Sequence, residues 1–154
     1  MLLPSFQKGD EKMKNILFVC KHNKFRSKTA EAYFNKINKN KNNKAVSAGI
    51  IRGNLPLNKR EVDIAKEFGI KLKGKPKGLS VDLIKKQNLI IIVADDVPKS
   101  IFNRKEYIDF KTTKIVWWKI PDNIGATNSS KIRKIIRSII KRIDILNKEL
   151  KNVK

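Results

Sequence analysis

The chain has 154 residues, 40% of them hydrophobic, which suits one core in one domain and excludes wholesale disorder. Its 36 Lys and Arg stand against 14 Asp and Glu, a formal charge of +22 that makes nucleic acid or another polyanion the first partner class to consider. One cysteine and one histidine, Cys20 and His22, exclude an intramolecular disulfide and a zinc site made of Cys and His ligands.

Residues 1–12 are polar and aperiodic, with neither the basic start nor the apolar core of a signal peptide. They are expected to form a disordered tail ahead of a single domain over 13–154, with Met13 a second candidate start. Ile16-Leu17-Phe18-Val19 reads as a short strand buried on both faces, ending at Cys20. Ala30, Tyr33, Phe34 and Ile37 then recur at helical spacing, predicting a helix from Ser27 to about Ile37. Asn38 to Lys44 holds only Lys and Asn and reads as a loop; Ala45 to Ile51 reads as a second strand leaving through Gly49.

Asn58 and Glu61 have the spacing of a capping box, with Val62, Ala65 and Phe68 following and Gly69 as terminator. Lys71 to Gly78 is a basic loop, and Ser80 can cap a short helix from Val81 to about Lys86. The run 89–94 is the clearest strand and should be central; it is far shorter than the roughly 20 residues a membrane span needs. Val97 to Phe102 is expected to make a helical turn, and Lys114 to Trp118 the fourth strand, with Trp117 and Trp118 on opposite faces. Ser129 or Ser130 should cap a long helix burying Ile132, Ile135, Ile136, Ile139, Ile143, Leu146 and Leu150.

Apolar strands alternating with helices predict an α/β domain with a parallel sheet covered on both faces. Ligands of such sheets sit beyond the carboxyl ends of the strands, where Cys20, Asp95, Asp96 and the segment after Trp118 all fall.

The segment Cys20-Lys21-His22-Asn23-Lys24-Phe25-Arg26-Ser27 is Cys, five residues, Arg, Ser, between a buried strand and a helix. A short loop closing onto a helix start points successive backbone N–H groups at one spot and makes a nest for an anion. The same dipoles favour the thiolate of a cysteine within it. Arg26 can fork onto two phosphate oxygens, and Ser27 can donate its hydroxyl to the sulfur. The plainer alternative, a small buried cysteine that only fills space, is outweighed by the spacing and by the strand and helix around it.

These residues carry a resemblance. Asn15 to Cys20 followed by Arg26-Ser27-Lys28-Thr29-Ala30-Glu31-Ala32 resembles the signature of the low-molecular-weight protein-tyrosine phosphatases and their arsenate-reductase relatives. Val46-Ser47-Ala48-Gly49, the helix ending in Phe68-Gly69-Ile70, the stretch Leu79 to Ala94, and Trp118-Lys119-Ile120-Pro121-Asp122 fall in the family's order. The resemblance implies three layers, a four-stranded parallel sheet of order 2-1-3-4 with helices on both faces. It also implies a metal-free phosphomonoester hydrolase of the protein-tyrosine phosphatase kind that needs no cofactor, with Cys20 as nucleophile and a cysteinyl-phosphate intermediate. It implies that Lys21, His22, Asn23, Lys24, Phe25 and Arg26 hold the phosphate, that Asp122 is the general acid, and that Ser27, Ser47 and Asp95 support the loop. On the residues alone Asp122 is equally an ordinary turn residue, and Asp95 or Asp96 an alternative acid or a brace.

Some positions depart from the pattern. His22 stands for the usual Gly, Phe25 for a second cysteine found in many members, and Asn123 for the Pro after the acid, followed by Ile124 and Gly125 instead of aromatics. The expected partner is a phosphorylated protein or small phosphoester, met by a cytoplasmic monomer, with no membrane contact and only weak electrostatic binding of nucleic acid. Two other readings stay open: an arsenate reductase that borrows an external thiol, and a basic, non-catalytic polyanion-binding domain.

Overall fold

A computed structural model describes residues 14–51, 53, 56–122 and 128–151. The expected tail, residues 1–12, lies outside them, as do Asn123, Ile124 and Gly125. Strands β1 (Lys14–Cys20), β2 (Asn43–Gly49), β3 (Leu89–Val93) and β4 (Lys114–Trp118) form one sheet in the order β2-β1-β3-β4. All three pairings are parallel, as the sequence leads one to expect.

The sheet is covered on both faces because its two central strands are apolar at every position from Ile16 to Val19 and from Leu89 to Val93. Side chains alternate between the faces. Ile16 and Phe18 of β1, with Leu89, Ile91 and Val93 of β3, pack with helices α1 (Arg26–Ile37), α2 (Lys59–Glu67) and α4 (Ser129–Lys151). Leu17, Val19, Ile90 and Ile92 pack on the other face with α3 (Val81–Lys85) and a 3-10 turn at Lys99–Phe102. Trp118 is in the first core, its ring 6.2 Å from that of Phe18, while half-buried Trp117 lies edge-on to Phe102 at 6.0 Å.

Several boundaries differ from expectation: β1 begins at Lys14 and β2 ends at Gly49, short of Ile51. β2 begins at Asn43, inside the expected loop, because the backbones of Asn43 and Lys44 pair with Lys14 and Asn15 whatever their side chains. Helix α1 starts at Arg26, one residue early. Helix α4 is capped by Asn128, whose Oδ1 accepts from Lys131 N at 3.1 Å, so Ser129 and Ser130 lie in its first turn. The other caps are as read: Asn58 Oδ1 accepts from Glu61 N, and Ser80 Oγ from Leu83 N, each at 3.1 Å.

The expected stripe of α4 is buried in full, from Ile132 to Leu150. Ile139, fully enclosed in the core, is its midpoint. Ile139→Ala should cost about 2–5 kcal/mol of unfolding free energy in a urea titration, since the cavity lies among residues fixed by the sheet.

Candidate active site

The carboxyl ends of β1 and β2 lie side by side, Cys20 against Gly49. From Cys20 the chain makes an irregular loop, residues 21–25, and enters α1 at Arg26. This loop rests on Gly49. A Cβ there would stand 2.7 Å from His22 C and 2.7 Å from Asn23 N, so only glycine admits the approach. Ile50 and Ile51 donate their N–H groups to the carbonyls of Cys20 and Lys21 at 3.1 and 2.9 Å, fastening the loop from below.

Asn23 is the loop's anchor. It takes the left-handed conformation, φ 55°, which a short polar side chain tolerates. Its Nδ2 donates to Ser27 Oγ at 2.8 Å and to Ser47 Oγ at 2.9 Å, and its Oδ1 accepts from Lys77 N at 2.8 Å. Ser47 Oγ donates in turn to Glu31 Oε1 at 2.5 Å. Ser27 Oγ lies 2.9 Å from Cys20 Sγ. A buried chain of polar groups thus runs from Glu31 to the thiol, with Cys20 itself 2% exposed.

Helix α1 has Phe25 before it, no side-chain cap and no acid in its first turn. The N–H groups of a first helical turn have no partner within the helix, so this end offers donors and a positive dipole to whatever occupies the loop. The three other helices carry the side-chain caps named above. Arg26 is 3% exposed. Its Nη1 donates to Ile120 O at 2.9 Å, and its Nη2 to Asp96 Oδ1 at 3.0 Å. Asp95 Oδ1 is 3.8 Å from Nη1.

Among the residues expected at the site, the structure thus brings Cys20, Asn23, Arg26, Ser27 and Ser47 together in one network, with Asp95 at its margin. Asp96, adjacent to the expected Asp95, makes the shorter contact with Arg26. Lys21 and Lys24 are half-buried in the loop, Phe25 is buried, and His22 is exposed. Asp122, half-buried, follows two residues after Ile120, whose carbonyl is held by Arg26. Glu31 and Lys77 were missed by sequence reasoning. Glu31 had a signal, since it lies one helical turn after Ser27 on the same face; Lys77 had none. Among the described residues no group of three or more His, Cys, Asp or Glu could hold a metal ion, and no helix is long and apolar enough to cross a membrane.

The loop thus brings a buried thiol, a hydroxyl and a fixed arginine together at an uncapped helix start. The chain belongs to the low molecular weight phosphotyrosine protein phosphatase family, whose model matches residues 15–154. Solved structures agree with this. A low molecular weight protein tyrosine phosphatase from T. tengcongensis is 24% identical with a TM-score of 0.75, over 88% of this chain and 99% of that one. The arginine phosphatase YwlE from Geobacillus stearothermophilus is 20% identical with a TM-score of 0.74, over 90% and 93%. An arsenate reductase from Archaeoglobus fulgidus is 27% identical with a TM-score of 0.67, over 87% and 99%. No curated protein matches the chain by sequence.

Two outcomes follow from the geometry. Gly49→Ala should lift the loop off β2, costing about 1–3 kcal/mol of stability in denaturant titration, with a large loss of activity. Lys28, 5% exposed in the first turn of α1, has its amine pushed below the ordinary lysine value by burial, an effect opposed by Glu31 and reinforced by Lys77. Such a group binds fewer protons folded than unfolded, so it makes stability rise with pH up to the ordinary value near 10.5. Urea titrations from neutral pH upward should show the wild type gaining on Lys28→Met, and parallel pH profiles would contradict this.

Proposed function

We propose that this chain is a cysteine-dependent phosphomonoester hydrolase of the protein-tyrosine phosphatase type, working through a cysteinyl-phosphate. The observation that carries the proposal is the 2.9 Å contact between Cys20 Sγ and Ser27 Oγ at the mouth of an uncapped helix. A hydroxyl so placed can donate to a thiolate, holding it ready as nucleophile and easing its later departure.

In the first step Cys20 Sγ attacks phosphorus in line, the S–P bond forms and the bond to the leaving oxygen breaks. Asp122 gives that oxygen its proton. The backbone N–H groups from Lys21 to Arg26, those of His22, Asn23, Lys24 and Phe25 among them, hold the equatorial oxygens. A guanidinium has five N–H groups, more than the contacts of Arg26 with Asp96 and Ile120 use, and the rest can fork onto phosphate. In the second step water attacks phosphorus, Asp122 takes its proton, and the S–P bond breaks to release inorganic phosphate. Asn23 and Ser47 keep the loop in shape, and Asp95 and Asp96 keep Arg26 in place.

The family and its solved relatives support phosphoryl chemistry as a class. Phosphotyrosine is proposed as substrate on the family match over residues 15–154, while the segment Cys20 to Ala32 is shared in resemblance by the tyrosine phosphatases and their arsenate-reductase relatives. The arsenate reductase reading has one specific point in its favour, the 27% identity to the Archaeoglobus fulgidus protein. Against it, one cysteine in the chain leaves no internal disulfide relay, so the reductant would be an external thiol.

The test is turnover of p-nitrophenyl phosphate beside arsenate reduction with added thiols. Cys20→Ser should abolish phosphatase turnover, and Arg26→Lys should nearly do so, because a point charge cannot replace a bidentate fork. Asp122→Asn should slow poor leaving groups more than good ones; an equal loss for both moves the acid role to Asp95 or Asp96. Activity confined to arsenate with thiol overturns the phosphatase reading.

A further inference from the structure

Between α1 and the segment 69–77 lies a cavity of about 660 Å³, within the size range of small-molecule sites. Its wall carries Lys28, Lys36, Lys71, Lys73 and Lys77 against one carboxylate, Glu31. That carboxylate is already engaged by Ser47 Oγ at 2.5 Å. A chain this rich in lysine puts ammonium groups beside many hollows, so the useful comparison is with another hollow of the same molecule. In the one formed by Lys85 and residues 105–113, Lys85, Lys105 and Lys111 are countered by Glu106 and Asp109. The cavity beside α1 lacks that balance.

Two of its ammonium groups are also fixed in place. Lys28 Nζ donates to Lys73 O at 3.2 Å, and Lys36 Nζ to Gly69 O at 2.8 Å. Each ammonium has three donors, so one carbonyl apiece leaves capacity for an anion. Gly69 and Gly74, at φ 72° and 85°, curl the segment around these groups; a Cβ at Gly69 would come within 2.5 Å of Lys36 Nζ.

We propose that this cavity binds a small polyanion of the oligophosphate class, at a place separate from the Cys20 loop. The wall offers lysines and no arginine. Lysines act on phosphates as point charges, and several of them around one hollow suit a ligand that carries several charges along a chain. Burial and Lys77 both disfavour the charge on Lys28, and an anion beside it would favour that charge. The cavity also touches the loop directly: Lys77 N donates to Asn23 Oδ1 at 2.8 Å, and Lys77 O accepts from Gly49 N at 2.8 Å. Lys77 thus belongs both to the cavity wall and to the backbone on which the loop rests.

Titration calorimetry of the full chain with inorganic tripolyphosphate tests the site without reference to catalysis. Binding should survive Arg26→Ala, or orthovanadate in the catalytic loop of the wild type where that variant does not fold. It should weaken about tenfold or more in Lys71→Ala/Lys73→Ala, both exposed positions, and change little in the matched control Lys105→Ala/Lys111→Ala. Equal weakening in the two lysine pairs overturns the proposal, because charge alone then holds the ligand. So does loss of all binding when the catalytic loop is disabled or filled.

Discussion

The close approach of the loop 21–25 to Gly49 is the constraint on which the site depends. Backbone atoms of His22 and Asn23 occupy the space a Cβ would take, so the loop is seated on the end of β2. Asn23 then converts this contact into a fixed shape. Its amide joins Ser27 at the start of α1, Ser47 in β2 and the backbone of Lys77, three segments distant in sequence. All these groups are buried or partly so, and a half-satisfied buried network is costly. The loop therefore has one arrangement in which every member is paired, and the thiol of Cys20 is placed by it.

What the loop offers a ligand follows from what the sequence withholds. Helices α2, α3 and α4 each spend a side chain, Asn58, Ser80 or Asn128, on their first N–H groups. Helix α1 spends none, and Phe25 at its cap position is an apolar residue turned into the core. A serine or aspartate there would compete with an incoming anion for the same donors. Leaving the helix start uncapped costs stability of about 1 kcal/mol, which an oxyanion would restore. Arg26 shows the same logic: its charge is compensated by Asp96 and the Ile120 carbonyl, so it stays buried without a ligand and already ordered for one.

Much of this was legible in the sequence because it rests on periodicity and local chemistry. The apolar runs of β1 and β3 and the stripe of α4 follow from which residues are apolar and how far apart they stand, while the order of strands came with the family resemblance. The Cys20 to Ser27 segment was legible because its chemistry is contiguous. What was hidden depends on packing between distant segments. Asp95 and Asp96 are adjacent carboxylates past the same strand, and only the twist of the chain at its exit decides that Asp96 meets Arg26 more closely. Gly49 was visible as a strand end, but its purpose needs the register that sets it opposite Cys20. Asn43 and Lys44 join β2 through backbone pairing alone, which no side-chain pattern reports.

The net charge of +22 looks, at the level of composition, like the feature that draws anions to this molecule. The geometry separates two roles for it. Around Arg26 one guanidinium meets two carboxylates, Asp96 at 3.0 Å and Asp95 at 3.8 Å, so the loop 21–25 has oriented donors beside it and no excess of side-chain cations on Arg26. Exposed lysines act beyond a screening length of about 10 Å at moderate salt only weakly, and so mainly assist encounter. The cavity beside α1 belongs to neither role. Its wall gathers five lysines around a single carboxylate that Ser47 already engages. An anion there meets several ammonium groups at once, which a lone surface lysine does not offer. Through Lys77 that wall is continuous with the backbone on which the loop 21–25 rests.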